Sequence, residues 1–326
     1  MIIVTGGAGF IGSALIASLN KRNIFDILVV DQLDSDQKWK NLLNLSFTDY
    51  IEKGDFLEII IEDGLDNPVD VIFHLGACSD TTETNASYLI KNNYEYTKLL
   101  AQWATEADIR FIYASSGATY GDGSLGFEDK EDEIGSLKPL NMYGYSKHLF
   151  DLWARNSGLL NRIVGLKYFN VFGPNEYHKA NMRSFCIKAF EQIKNTGKVK
   201  LFKSHKTEFK DGEQLRDFIY VKDAVDMTLF FWDNPNLNGL FNIGTGEPRS
   251  WNDLVNSVFA AMQAKTDIEY IQMPESLRNQ YQYYTCADIT KLRNAGYSQD
   301  LTSLEDAIKE YVQVFLKTNT YLTGAR

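Results

Sequence analysis

Cysteine is scarce in this chain. There are three, Cys78, Cys186 and Cys286, far apart and odd in number. Neither a disulfide framework nor a zinc site fits that spacing, and each is expected to be a buried small residue. No metal site is expected. A block of basic residues is also missing, and the formal net charge is −10. That excludes general nucleic acid and an anionic membrane surface as partners. No apolar run is long enough to cross a bilayer. The first residues already read as a core strand, which leaves no room for a signal peptide, so a reducing, cytoplasmic location is expected. Repeats and low-complexity tracts are lacking too. What remains is an ordinary soluble composition, 44% hydrophobic and 23% charged over 326 residues. It suffices for one large domain or a domain and a half. An anionic ligand of so acidic a chain must be met by locally placed Lys, Arg or helix N-termini.

One such place is the first dozen residues, Met1-Ile-Ile-Val-Thr-Gly-Gly-Ala-Gly-Phe-Ile-Gly12. An apolar β-branched run leads into Gly6, Gly9 and Gly12, and an apolar helical pattern follows. Strand, tight turn and helix N-terminus in that order form a phosphate cradle. Gly6 allows the turn, Gly9 leaves room for a pyrophosphate, and Gly12 lets the helix pack against the strand. A second strand, Ile27-Leu-Val-Val-Asp31, ends in an acid at the spacing where ribose hydroxyls are held.

The first half alternates strands with helices. Strands are expected at Ile2–Val4, Ile27–Val30, Val69–His74, Arg110–Ala114 and Arg162–Tyr168, and helices at Ile11–Lys21, Ala86–Glu106 and Tyr143–Asn156. This predicts an α/β fold, a doubly wound, Rossmann-like parallel sheet with a second, smaller mixed α/β substrate domain. Gly6, Asp31, Gly76, Ser116 and Asn170, each following a strand, should line one edge of the sheet. Beyond Asn170 the pattern predicts helices at Met182–Asn195, Trp251–Met262, Ile289–Asn294 and Leu304–Lys317. Strands at Asp217–Val221 and Gly239–Ile243 should return to the main domain. The expected division is a nucleotide-binding domain of 1–169 with returning segments near 217–245, and a substrate domain of 170–216 and 246–326. The charged segment Lys203–Gln214 reads as a mobile loop.

Tyr143-Gly-Tyr-Ser-Lys147 is the second strong signal. Tyr and Lys four apart share a helix face. An ammonium beside a phenol lowers its pKa and lets it take a proton from an alcohol. Upstream, Ala114-Ser-Ser-Gly-Ala-Thr-Tyr-Gly121 supplies Ser116 to hold a substrate oxygen. The spacing alone is common, and Tyr94 and Lys98 repeat it.

The order of these pieces, nucleotide turn, Ser116, Tyr143 and Lys147, resembles the short-chain dehydrogenase/reductase superfamily, and its extended branch acting on nucleotide sugars. His74-Leu-Gly-Ala77, Asn92-Asn-Tyr-Glu-Tyr-Thr97, Tyr168-Phe-Asn-Val-Phe-Gly-Pro174 and Arg216-Asp-Phe-Ile-Tyr-Val-Lys-Asp-Ala224 extend the match over most of the chain. Three stretches most resemble the ADP-L-glycero-D-manno-heptose 6-epimerase family: Gly76-Ala-Cys-Ser-Asp-Thr-Thr-Glu83, Pro139-Leu-Asn-Met-Tyr-Gly-Tyr-Ser-Lys147 and Asn170-Val-Phe-Gly-Pro-Asn-Glu-Tyr-His-Lys179.

That resemblance implies an isomerase for lipopolysaccharide core precursors. It implies transient oxidation at carbon 6 of the heptose, turning of a 6-keto intermediate, and return of the hydride to the other face. Tyr143 and Lys179 would be the acid/base pair, Lys147 would tune Tyr143 and hold the nicotinamide ribose, and Ser116 would hold the substrate hydroxyl. The cofactor would lie against Gly6, Gly9, Phe10, Ile11, Gly12, Asp31, Gln32, Lys38 and Lys53. It would also meet Leu75, Gly76, Ala77, Cys78, Ser79, Asn92, Lys147, Val171 and Lys179. The nucleotide sugar would meet Ser116, Asn170, Asn181, Lys188, Arg216 and Tyr281, with Phe202, Lys203, Ser204 and His205 at the adenine end. Here the chain departs from the family, with extra residues including Thr207–Glu213 before Arg216-Asp-Phe. A homo-oligomer, pentameric in the family, is also implied.

Cofactor choice divides the residues. Asp31 alone favours NAD, because a carboxylate repels a 2′-phosphate. Lys38 and Lys53 match family positions that neutralise that phosphate, and NADP is the expectation. A UDP-hexose 4-epimerase or related reductase would share Ser116, Tyr143 and Lys147 but has no evident need of Lys179. A 4,6-dehydratase would carry Asp-Glu where Gly117-Ala118 stand. A non-catalytic NADP-binding sensor on this fold would not keep both Tyr143 and Lys147.

Overall fold

Short, mostly apolar runs rich in β-branched and aromatic residues read as strands buried on both faces. In the computed structural model, which describes residues 1–62, 64–65, 67–278 and 281–324, five such runs form the middle of a parallel sheet. The order of elements is β1 (Ile2–Thr5), α1 (Phe10–Lys21), β2 (Ile27–Asp31), β3 (Asp49–Glu52), α2 (Lys53–Glu62), β4 (Val71–His74), α3 (Ala86–Leu89), a π-helical turn Ile90–Glu95, and α4 (Tyr96–Glu106). Then come β5 (Arg110–Ser116), α5 (Met142–Asn156), β6 (Val164–Tyr168), β7 (Asn170–Phe172), α6 (Phe185–Thr196), β8 (Val199–Phe202), β9 (Leu215–Arg216), β10 (Phe218–Tyr220) and α7 (Val221–Asp233). The remainder is β11 (Gly239–Ile243), β12 (Arg249–Ser250), α8 (Trp251–Met262), β13 (Ile268–Ile271), α9 (Glu275–Arg278), α10 (Thr290–Asn294), and α11 (Leu304–Glu310) running into a π-helical Tyr311–Leu316.

The main sheet runs β3-β2-β1-β4-β5-β6-β11, and all of its pairings are parallel. Alternate side chains divide between its faces. Ile2 and Val4 belong to one core with Ala14, Leu15 and the α7 residues Val225 and Leu229. Ile3 belongs to the other, with Phe56 of α2, Leu100 of α4 and Phe150 of α5. Each fully buried Ile, Leu, Val or Phe contributes roughly 1.5–3 kcal/mol, so the sheet is the stable platform for the loops at its carboxyl edge. The strand order reverses between β1 and β4, where ligands bind in such sheets.

Several expectations need correcting. β3 was not expected, because as an edge strand it is only half-buried and has no apolar run. β10, one of the two strands expected to return to the main domain, lies outside the main sheet. It pairs with β7, and the chain returns through α7 to β11 beside β6. The expected helix Ala86–Glu106 is interrupted by its π-turn. Cys186 is buried, but Cys78 and Cys286 are only half-buried, and all three thiols are free. The segment 203–214 makes defined contacts: Ser204 N donates to Asp211 Oδ1 at 2.8 Å, and the Asn252 amide donates to Asp211 O and Glu213 Oε1. No helix among the described residues is long and apolar enough to cross a membrane.

Candidate active site

The turn after β1 is built on close backbone approach. Gly6 has φ +69°, and a Cβ there would lie 2.5 Å from Gly76 N; one on Gly12 would lie 2.1 Å from Gly6 O. Any side chain at either place would push β1, α1 and the 75–77 loop apart. α1 has no side-chain cap and no acid in its first turn. Its first N–H groups therefore remain available to an anion. They border a cavity of about 390 Å³ at the carboxyl ends of β1, β4, β5 and β6.

That cavity brings together Gly6, Gly9, Phe10, Ile11, Gly12, Leu75, Gly76, Ala77, Ser79 and Val171 with Ser116, Tyr143, Lys147, Asn170 and Lys179. A contiguous pocket of about 110 Å³ collects Asp31, Gln32, Lys38, Lys53, Cys78 and Asn92. Asp31 and Lys38, which seemed to vote for different cofactors, are bonded to each other, Lys38 Nζ to Asp31 Oδ1 at 2.8 Å. The Asp31 carboxylate also accepts from Ala8 N at 2.9 Å and Gln32 N at 2.7 Å. It thus ties the phosphate turn to β2 with its charge met. Lys53 Nζ donates to Asn92 Oδ1 at 2.8 Å. The π-turn puts Asn92 there and aims Asn93 at Cys78, whose N–H and C=O it bonds at 2.9 Å each. Such turns recur at functional sites because they redirect adjacent side chains.

Two of the expected catalytic residues, Tyr143 and Lys147, sit on α5. Asn141 caps it, accepting from Gly144 N at 2.8 Å, and Tyr143 and Lys147 share one face. Lys147 Nζ donates to Ala114 O at 2.8 Å, and burial holds its ammonium down to about 8. The expected lowering of Tyr143 is not what the structure contains. Burial pushes its phenol up, and hydrogen bonding with Ser116 opposes that rise only in part.

Lys179 arrives from a different element, the 3₁₀ segment Tyr177–Met182. Its Nζ lies 5.6 Å from the centre of the Phe10 ring at the start of α1, and burial lowers its pKa, opposed by Glu176. The next residue, Ala180, has φ 44° and ψ −120°, a conformation that a non-glycine residue keeps only when its surroundings enforce it. They do. Glu176, 1% exposed, accepts from Gly173 N, Ser184 N, Ser184 Oγ and Tyr311 OH. Asn175 donates to Ser13 Oγ at 2.9 Å and accepts from Leu322 N at 2.9 Å.

The other residues expected to meet the nucleotide sugar lie outside the main cavity. Lys188 Nζ donates to Asn181 O at 2.7 Å. Arg216 is 6% exposed and donates to the carbonyls of Leu215 and Gln282. Its guanidinium lies 5.1 Å from the Tyr281 ring and 5.7 Å from the Trp251 ring, with Trp251 Nε1 bonded to Tyr281 OH at 2.9 Å. Tyr283 joins this group, 5.4 Å from Tyr281 and hydrogen-bonded to His205 N and Nδ1. Phe202 ends β8, Lys203 N bonds Ile271 O across to β13, and Ser204 turns back onto Lys206 O. Asn279 and Gln280, before Tyr281, lie outside the described residues.

Sequence reasoning overlooked Asp36, His178 and Met182 in the main cavity and Asp34, Tyr88 and Tyr96 in the smaller one. His178 had a signal, since it precedes Lys179 in the motif. Burial takes its imidazole down to about 4, and it lies 3.3 Å from the Asn41 amide.

Residues 2–244 match the NAD dependent epimerase/dehydratase family. The chain is similar along nearly its whole length to the ADP-L-glycero-D-manno-heptose-6-epimerase of Nitratidesulfovibrio vulgaris, with 52% identity over 97% of this chain and 98% of that one. The enzyme of the same name from Fusobacterium nucleatum is 47% identical over 99% and 100%. The crystal structure of the Helicobacter pylori ADP-L-glycero-D-manno-heptose-6-epimerase has TM-score 0.80 and 28% identity, covering 95% of this chain and 94% of that one.

Proposed function

The chain belongs to the NAD dependent epimerase/dehydratase family, and within it to the ADP-L-glycero-D-manno-heptose-6-epimerases; on that premise we propose that it inverts carbon 6 of the heptose in ADP-D-glycero-D-manno-heptose. The observation that carries the reading is the convergence of Ser116, Tyr143, Lys147 and Lys179, from three separate segments, on the cavity bordered by the glycine turn. The cradle fits a dinucleotide: backbone that admits no side chain at Gly6 or Gly12, uncapped helix amides, and Lys38 and Lys53 at the ribose end. When bound there, the nicotinamide cofactor supplies a hydride acceptor and donor.

The chain's own groups do the rest. Ser116 holds the substrate hydroxyl. Tyr143 takes the hydroxyl proton, and the buried Lys147 ammonium stabilises the phenolate that results. Lys179, from the opposing loop, serves the carbonyl after it has turned. Arg216 meets the diphosphate with a planar fork. The division at 170–216 and 246–326 belongs to the same reading, as does a cytoplasmic setting, which suits three free thiols. The homo-oligomer rests on family resemblance, and light scattering of a dilute sample tests it.

Incubation with ADP-D-glycero-D-manno-heptose, followed by NMR of the product, tests the function. Inversion at carbon 6 with no net change in cofactor absorbance is expected. Equal turnover of UDP-galactose would overturn the substrate assignment and favour a hexose 4-epimerase.

NADP is proposed over NAD, and the Asp31–Lys38 pair sharpens the test. Lys38→Ala removes a cation and also bares the Asp31 carboxylate. NADP affinity should fall by about 10–100-fold, the scale of a charge-assisted hydrogen bond, and NAD affinity much less. Calorimetric titration showing equal losses would refute the assignment.

A further inference from the structure

Beneath the acid–base helix lies an ion pair that the chemistry above does not use. Asp151 follows Lys147 by one turn on the same face of α5, and Lys167 comes from β6. Both side chains are 0% exposed. Lys167 Nζ donates to Asp151 Oδ2 at 2.6 Å and to Thr119 Oγ1 at 2.7 Å. Asp151 also accepts from Tyr113 OH at 2.9 Å and Ser115 Oγ at 2.7 Å. Such a pair is a poor device for stability alone. Desolvating both charges offsets most of their attraction, and apolar residues of similar volume hold a fold as well or better.

The partners of the pair are neighbours of the site. Thr119, held by Lys167, donates its hydroxyl to Ser116 O at 2.8 Å. Ser115, held by Asp151, directly precedes Ser116. Lys147 donates to Ala114 O on the same strand end. We infer that the Asp151–Lys167 pair is a positioning unit for the reaction: it locks the end of β5 to α5, fixing Ser116 relative to Tyr143, and it sets a carboxylate one helical turn from Lys147. The inference rests on the proposed role of Lys147.

The surroundings of Lys147 support the second half. Burial lowers it and Asp151 opposes that fall. The other groups around it are His74 on β4, which burial takes down to about 3, Cys78 after β4, Tyr143 and His148 on α5, and Lys167, whose charge Asp151 already meets. Asp151 is thus the nearby carboxylate that favours the ammonium.

The test is the double variant D151N/K167M. It removes both charges together, so neither is orphaned, and the Asn oxygen accepts from one of the Tyr113 and Ser115 hydroxyls while its amide donates to the other. Lys147 must be protonated to act, and of the pair only Asp151, one turn away on α5, acts on it, so losing both charges lowers its pKa. The alkaline limb of the kcat profile should therefore move to lower pH by about one unit, with roughly a tenfold loss of kcat at the parent's optimum. KM and co-purified cofactor should change little. A folded double variant with the parent's kcat and pH profile overturns the inference. Should it not fold, Thr119→Val breaks only the link from Lys167 to Ser116. A several-fold drop in kcat at constant KM supports positioning, and an unchanged kcat refutes it. Lys147→Met separates the two levels. Full activity in that variant removes the proposed role of Lys147 and this inference with it. An inactive Lys147→Met beside an unaffected double variant removes this inference alone.

Discussion

Tyr143→Phe and Lys179→Met are each expected to lower kcat by roughly 10²–10⁴-fold, the usual scale for removing a positioned acid or base, with fold and bound cofactor retained. Phe keeps the buried ring and deletes only the hydroxyl beside Ser116. Met keeps the stem that lies over Phe10 and deletes an ammonium whose charged form burial already disfavours. Neither change opens a cavity, so thermal melting should move little while activity collapses. Both must act, because a hydride removed from one face and returned to the other needs proton transfer in two orientations of the carbonyl. Epimerisation followed by NMR, beside circular dichroism, checks this. Full activity in the Lys179 variant would reduce that lysine to a loop residue and reopen the hexose 4-epimerase reading.

Arg216→Ala should act on the other kinetic constant. Its partners among the described residues are carbonyls and aromatic faces rather than carboxylates, so a buried guanidinium is left with charge to spend on an anion. The diphosphate does not change during the chemistry, and loss of its contact is uniform binding loss that raises KM and spares kcat. A rise of about 10–100-fold is expected from one charged hydrogen-bonding group. Arg216→Lys should fall between, since it keeps the charge and loses the planar fork. Steady-state kinetics on the three proteins decides it. A drop in kcat at constant KM would put Arg216 in the chemistry instead.

How much of this was legible beforehand varied with the range of the interaction. The glycine turn, the central strands and the Tyr143–Lys147 face follow from neighbours a few residues apart, where backbone sterics and helix period act directly. β3 was invisible because an exposed edge needs no apolar run. α7 was missed because Thr228-Leu-Phe-Phe-Trp232 looks like a strand, although packing against α1 makes it a helix. The relation of Asp31 to Lys38 was misjudged for another reason. Seven residues across an irregular turn carry no fixed geometry, so two groups weighed as rivals prove to be partners. The Asp151–Lys167 pair was equally hidden, because it joins a helix to a strand through side chains whose burial no local pattern reveals.

The anchors of the Lys179 loop carry a consequence for the order in which the molecule assembles. Glu176 is bonded to Tyr311, 135 positions away, Asn175 to Leu322, 147 away, and Asn175 O to Asn41, 134 away. Contacts of such high contact order close large loops and form late. The glycine turn and the first five sheet strands in chain order come from residues 2–116 and close over far shorter spans. During synthesis, then, the parallel sheet can take shape while Lys179 still sits on an unbraced turn. The full set of anchors exists only once the chain has reached residue 322, so Lys179 is expected to settle after the cradle has formed.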